Sequence, residues 1–268
     1  MRNILLYSAL IIFYLSACHN EKVASDPDKK LTVAVAANAQ FAMEALKEIF
    51  EKNSDATVEL IIGSSGKLTT QMLQGAPYDV FVSADLKYPD TLYRADMAIG
   101  APLIYAYGSL VMWTCKDIDL SQGIGAVLDE KVKKIAVANP KTAPYGEETL
   151  RMLSNLRRYN EKTADKIVYG ESIAQTNQYI TSGNCELGFT AKSVVMSPQM
   201  KGKGKWIEMN QISYQPIAQG LVITKYGFEK HPNSSKAFTD LLLSPKGQKI
   251  LTDYGYRLPE SSGIKKAQ

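Results

Sequence analysis

Within residues 31–95, a short apolar run gives way three times to a turn and then to helical spacing. Leu31 to Ala37 (LTVAVAA) leads into Asn38, which sits where a helix N-cap belongs, and a stripe of Phe41, Ala42, Ala45, Leu46, Ile49 and Phe50. Val58 to Ile62 leads into GSSGKLTTQM, residues 63–72, where Leu68, Met72 and Leu73 recur at helical spacing. A strand at Asp79 to Ser83 follows a Gly-Ala-Pro break and leads toward a less regular helix near 88–95. Strands that alternate with helices pair in parallel and need a helix on each face of the sheet. Ligands of such sheets gather at the C-terminal ends of the strands, which is where Asn38 and Ser65 fall.

The turn after the second strand carries its own chemistry. Gly63 and Gly66 let the backbone curl, while Ser64 and Ser65 add small hydroxyls where a helix start leaves amides without partners. Such a turn can hold an oxyanion without a formal counter-charge. A serine-capped helix after a strand would read the same way.

After a further strand at Ser109 to Thr114, the scheme starts again. A strand at Lys134 to Ala138, the turn NPKTAPYG (139–146) and a helix over 147–159 come first. A strand at Ile167 to Tyr169, the turn Gly170-Glu171-Ser172 and a helix over 173–182 follow. Later strands are expected at Trp206 to Glu208 and Ile217 to Thr224, and helices at 233–243 and 246–253. A chain that returns to its first unit near residue 219 crosses twice between lobes, and two crossings make a hinge with a cleft. The expected division is 31–113 with 219–259 as the first lobe, 114–218 as the second and 260–268 as a tail.

The N-terminus sets the expected compartment. Arg2, the apolar Ile4 to Leu15 and Leu15-Ser16-Ala17-Cys18 read as a lipoprotein signal over 1–17, with Cys18 as the lipidated first mature residue. A plain secretory signal with an incidental cysteine is the other reading. Residues 18–30 are expected to be the lipidated cysteine and a polar tether, so the chain would work outside the cytoplasm at a membrane surface. The 31 Lys plus Arg against 27 Asp plus Glu are scattered, which argues against a nucleic-acid partner.

Catalysis finds few candidates. His19 lies in the tether and His231 precedes a proline in what reads as a surface turn, so neither suits general-base or metal-ligand work. Asp79 and Asp85 flank one strand and could pair; the plainer expectation is that one caps a turn and the other closes the hinge. Cys115 and Cys185 lack metal-ligand spacing, and either a disulfide or two buried thiols fits them. No cofactor and no bound metal cation are expected. Four turns instead place neutral donors at helix starts: Asn38, Ser65, Tyr145-Gly146 and Ser172-Ile173. Lys67, Lys141 and Glu171 would tune the mouth.

Across 31–259 the chain resembles the periplasmic molybdate-binding proteins of ABC transporters. The resemblance is carried by VAVAANAQFAMEAL (33–46), GSSGKLTTQMLQGAPYDVFVSAD (63–85), YGSLVMW (107–113), IAVANPKTAPYG (135–146), ESIAQTNQYITSGNCELGFTA (171–191), and SPKGQKIL with YGY (244–256). It implies an α/β, two-lobed, type II periplasmic-binding-protein fold, each lobe a mostly parallel sheet flanked by helices. It also implies capture of molybdate or tungstate and delivery to a membrane permease; a monomer is expected because two lobes that must hinge do not require a partner. The ligand residues it implies are Ala37, Asn38, Ser64, Ser65, Tyr145 and Ile173.

One departure stands out. Some members add a tyrosine hydroxyl where this chain has Ala191 in GFTAKS. The Asn38 amide or the Tyr145 hydroxyl is expected to compensate, with Gln175 and Asn177 as further candidates. Two readings outside anion transport stay open: a secreted hydrolase, which lacks a nucleophile with a base, and an adhesive lipoprotein, which leaves the donor turns unused. A binder of sulfate, phosphate or an organic acid is the nearer alternative.

Overall fold

The computed structural model describes residues 29–155 and 161–260. The expected signal, Cys18, His19 and the tail beyond Glu260 lie outside the described residues. Among those described, no helix is long and apolar enough to cross a membrane.

Two five-stranded sheets organise the chain. The first contains β1 (Lys30–Ala36), β2 (Thr57–Gly63), β3 (Val80–Val82), β4 (Ala98–Gly108) and β10 (Ile217–Thr224), in the order β2-β1-β3-β10-β4. The second contains β5 (Leu110–Thr114), β6 (Ile135–Ala138), β7 (Ile167–Gly170), β8 (Leu187–Ala191) and β9 (Lys205–Glu208), in the order β7-β6-β8-β5-β9. Both share one plan. β1 runs parallel to its neighbours β2 and β3, and β6 runs parallel to β7 and β8. In fourth place each sheet takes an antiparallel crossing strand, β10 in the first and β5 in the second. We call the two sheets with their helices lobe 1 and lobe 2.

Helices cover both faces of the first sheet because its strands are buried on both sides. Val33 and Val35 point to one face, where they join Leu46 and Phe50 of α1 (Gln40–Lys52), Phe238 and Leu242 of α9 (Pro232–Leu243), and Leu251 of α10 (Pro245–Asp253). Ala34 and Phe81 point to the other, against Leu68 and Met72 of α2 (Ser65–Leu73) and Leu92 of α3 (Lys87–Arg94). Leu68 and Met72 are almost fully buried, which is worth about 1.5–3 kcal/mol each and seats the helix start over the ends of β1 and β2. In lobe 2, α4 (Pro144–Ser154), α5 (Glu161–Ala164), α6 (Ile173–Thr181) and α7 (Lys192–Val195) accompany the sheet, whose core is built on Trp113, Val137 and Phe189. Between β10 and α9 lies α8 (Lys225–Lys230).

Several boundaries differ from expectation. The first crossing comes before Leu110, not after residue 113, because β4 completes the first sheet and β5 pairs with β8 and β9. The return starts at Ile217, two residues ahead of the expected 219. Lys30 is the first residue of β1, paired with Thr57, and not the end of a tether. Asp79 and Asp85 hold opposite ends of β3 and do not form a pair. Asp79 is fully buried, accepts from the Thr32 amide at 2.6 Å and lies 2.6 Å from His231 Nδ1. His231 is therefore no free surface turn; it joins α8 to α9 and ties them to the sheet. Cys115 and Cys185 are both free thiols.

Candidate functional site

The C-terminal ends of β1, β2 and β3 face those of β6 and β7, and a small cavity lies between them. Its walls are Ala36, Ala37, Asn38, Gly63, Ser64, Ser65 and Ala84 from lobe 1, with Ala143, Pro144, Tyr145 and Ile173 from lobe 2. The atom-free space is about 200 Å³, part of it open to solvent. No lining residue carries a charged side chain.

Three helices begin at this cavity. Ser65 opens α2, Tyr145 is the second residue of α4 and Ile173 opens α6, so each amide sits in a first turn that has no intrahelical acceptor. Pro144 at the first position of α4 suits that start, since its missing N–H would have had no partner. The helix begins three residues before the expected 147, which brings Tyr145 and Gly146 inside its first turn. Together the three N-termini supply partial positive charge without a cation.

The two serines act differently. Ser64 precedes α2 in extended conformation, yet its hydroxyl caps no amide; it is buried and has no hydrogen-bond partner. A buried hydroxyl left so costs about 1–3 kcal/mol, which an incoming acceptor oxygen would remove. Ser65 Oγ accepts from the Ala84 amide at 3.0 Å, leaving its own proton for a ligand. Ser172, by contrast, is a working cap: its hydroxyl accepts from the Gln175 amide.

Around the mouth the lobes touch directly. The Gly66 amide donates to the Thr142 carbonyl at 2.9 Å, the Tyr88 hydroxyl donates to the Lys141 carbonyl at 3.1 Å, and Lys67 pairs with Glu171. A Cβ on Gly66 would stand 2.8 Å from the Tyr88 hydroxyl and 3.0 Å from Thr142 Cα, so glycine permits this approach. Beside the site, burial pushes the Asp85 carboxyl up to about 6, against opposing hydrogen bonds from the Tyr88 amide and Ser83. Among the described residues, no group of three or more His, Cys, Asp or Glu is placed to hold a metal ion.

On the opposite side of the cavity, Asn38 Nδ2 donates to Gln219 Oε1 at 2.8 Å and to the Tyr256 hydroxyl at 3.2 Å. Its carbonyl accepts from Ser193 Oγ at 2.7 Å and from the Tyr256 hydroxyl at 3.1 Å.

Known proteins resemble this chain in sequence and fold. Residues 31–257 match the family described as Bacterial extracellular solute-binding protein. The chain belongs to that family. The molybdate-binding protein ModA of Azotobacter vinelandii is 37% identical over 232 residues, covering 85% of this chain and 90% of that one. ModA of Rhodobacter capsulatus is 35% identical over 228 residues, 85% and 88% of the two chains. Among solved structures, the periplasmic molybdate-binding protein of A. vinelandii superposes with a TM-score of 0.79 at 34% identity, covering 86% of this chain and all of that one. The two sheets with their flanking helices are the type II periplasmic-binding-protein fold.

Within this solute-binding protein, all six expected ligand residues line one cavity. Their roles differ from the sequence reading at Asn38. Asn38 does not cap α1: residues 37–39 form a 3-10 turn, α1 starts at Gln40, and both amide hydrogens of Asn38 go to Gln219 and Tyr256. The Tyr145 hydroxyl accepts from Gln219 Nε2 at 3.0 Å. Asn38 therefore has no amide hydrogen left to replace the tyrosine absent at Ala191, whereas the Tyr145 hydroxyl accepts from Gln219 and keeps its own proton. Gln175 and Asn177 do not line the cavity; Gln175 Oε1 takes the Glu171 amide and Asn177 Oδ1 takes the Thr190 hydroxyl. The sequence reading missed Ala84, whose amide orients Ser65, and Gln219, whose partners lie far along the chain.

Proposed function

We propose that this chain is the binding component of an ABC importer and captures molybdate, with tungstate bound equally by virtue of shape and charge. The observation that carries the reading is the uncharged cavity with an unpartnered buried hydroxyl at Ser64, a free hydroxyl proton at Ser65 and three helix N-termini. A tetrahedral dianion keeps its charge there and is stabilised by fixed dipoles and donors from both lobes. The molybdate-binding names of the relatives point the same way.

Ala37, Asn38, Ser64, Ser65, Tyr145 and Ile173 supply the shell, Ser64 and Ser65 through hydroxyls and Tyr145 and Ile173 through amides. Lobes 1 and 2 close on the ion, exclude water and present a closed surface to a membrane permease. The chain is a monomer, held outside the cytoplasm by lipid on Cys18. No catalytic residue is invoked. Protonated phosphate is disfavoured because its O–H would need an acceptor and the lining offers no carboxylate. Sulfate is the alternative cargo; a cavity fitted to the larger ion would leave sulfate oxygens too far from some donors.

Calorimetric titration of ligand-stripped protein, starting after Cys18, with molybdate, tungstate, sulfate and phosphate tests the reading. One-to-one binding of molybdate and tungstate, with sulfate weak, is expected. Folded protein that binds none of the four would overturn it.

A further inference from the structure

Behind the cavity, away from its mouth, a buried hydrogen-bond cluster joins the two lobes: Ser193 Oγ donates to the Asn38 carbonyl, and Gln219 links the Asn38 side chain to Tyr145. Gln219 is fully buried on the returning strand β10. Its Oε1 accepts from Asn38 Nδ2 at 2.8 Å and from the Tyr105 hydroxyl at 2.7 Å, and its Nε2 donates to the Tyr145 hydroxyl at 3.0 Å. Asn38 belongs to the lobe 1 wall of the cavity and Tyr145 to the lobe 2 wall. One rigid amide thus spans both sets of ligand-facing backbone without itself lining the cavity.

Two backbone features are built around this amide. The register of β10 against β4 shifts between Gln219 and Gly220, and such a bulge re-aims a side chain. On β4, a Cβ at Gly108 would stand 2.0 Å from the Tyr145 hydroxyl and 2.4 Å from Gln219 Nε2, so only glycine leaves room for the bond between them. Burial holds the phenols of Tyr105 and Tyr145 well above their ordinary range, which keeps both neutral.

We propose that Gln219 is a positioning residue that fixes the distance between the lobe 1 and lobe 2 donors, and so sets which size of tetrahedral oxyanion the closed cavity accepts. The inference rests on the oxyanion-binding reading above. Donors held at one spacing reach the oxygens of a larger ion and fall short of a smaller one, since hydrogen bonds weaken steeply beyond their ordinary length. Without Gln219 the bonds from Ser193 to the Asn38 carbonyl and from Gly66 to Thr142 would still tie the lobes, but the Tyr145 wall would adjust more readily to either ion.

The test measures molybdate and sulfate affinities by calorimetry for the parent, Gln219→Met, Tyr145→Phe and the double variant, with thermal unfolding of each. Tyr145→Phe removes one hydroxyl, retains the backbone amide, and keeps the question open to test should Gln219→Met fail to fold. Each single variant is expected to lower the molybdate preference over sulfate by about tenfold, and the double variant by no more than either one. Unchanged preference, or molybdate and sulfate weakened by the same factor, would overturn the positioning role while leaving the oxyanion reading intact. A parent protein that binds neither ion would instead remove the functional reading itself.

Discussion

The Ala84 amide donates to Ser65 Oγ at 3.0 Å, so the hydroxyl that faces the cavity is oriented by the chain end of β3. Its remaining proton then has one direction to go. Ser65→Ala removes that donor and also strands the Ala84 N–H. Molybdate affinity is expected to fall about 10- to 100-fold, with a loss of about 1–3 kcal/mol in urea unfolding. Calorimetry and unfolding on one preparation check both; unchanged affinity would remove Ser65 from the site.

Ser64 gives the opposite stability result. Its buried hydroxyl has no partner in the empty site, so Ser64→Ala removes a desolvated polar group and breaks no bond. The apo variant is expected to be as stable as the parent or more so by about 1 kcal/mol, yet to bind molybdate about tenfold more weakly. A variant that loses stability without losing affinity would make Ser64 structural.

Lys67 and Glu171 pair across the mouth, one from each lobe, with both side chains about half exposed. An exposed pair is worth about 0–1 kcal/mol, so Lys67→Met or Glu171→Gln should speed molybdate release no more than about fivefold. Stopped-flow release of the parent should quicken with salt, and that of either variant should respond less. Release rates equal to the parent at low salt would show that the pair is no latch.

How much of this was legible in the sequence depends on how far each contact reaches. The strand, turn and helix starts at residues 57–73 and 167–181 follow local rules, and the expected donors at Ser65 and Ile173 come with them. β4 was missed because Gly100 and Pro102 interrupt its pattern, which an edge strand tolerates. Asn38 read as a helix cap because asparagine before an apolar stripe usually is one. Its actual partners, Gln219 and Tyr256, lie 181 and 218 residues away, where no local pattern reaches. His231 read as exposed for the same reason: Asp79, 152 residues earlier, holds it in. Of the two candidates for the tyrosine absent at Ala191, Asn38 spends both amide hydrogens on Gln219 and Tyr256, while the Tyr145 hydroxyl accepts from Gln219 and keeps its proton.

Asp85 makes stability depend on pH in a defined window. Burial raises its carboxyl from 3.8 to about 6, and the Glu147 charge across the cleft adds to the rise while Lys87 opposes it. Between about pH 4 and 6 the unfolded chain has released a proton that the folded chain still holds, so this group's contribution to stability falls as pH rises through that window. Above about 6 both states are ionised, and the loss levels off at no more than about 3 kcal/mol. Asp85→Asn cannot titrate, so it should match the parent near pH 4 and exceed it in stability at pH 7. Other groups titrate equally in both proteins, and the difference between their urea unfolding curves from pH 4 to 7.5 isolates Asp85. Glu147→Gln should shift the midpoint of that difference to lower pH, because it removes a charge that disfavours the ionised carboxyl. A flat difference curve would place the Asp85 carboxyl in the ordinary range.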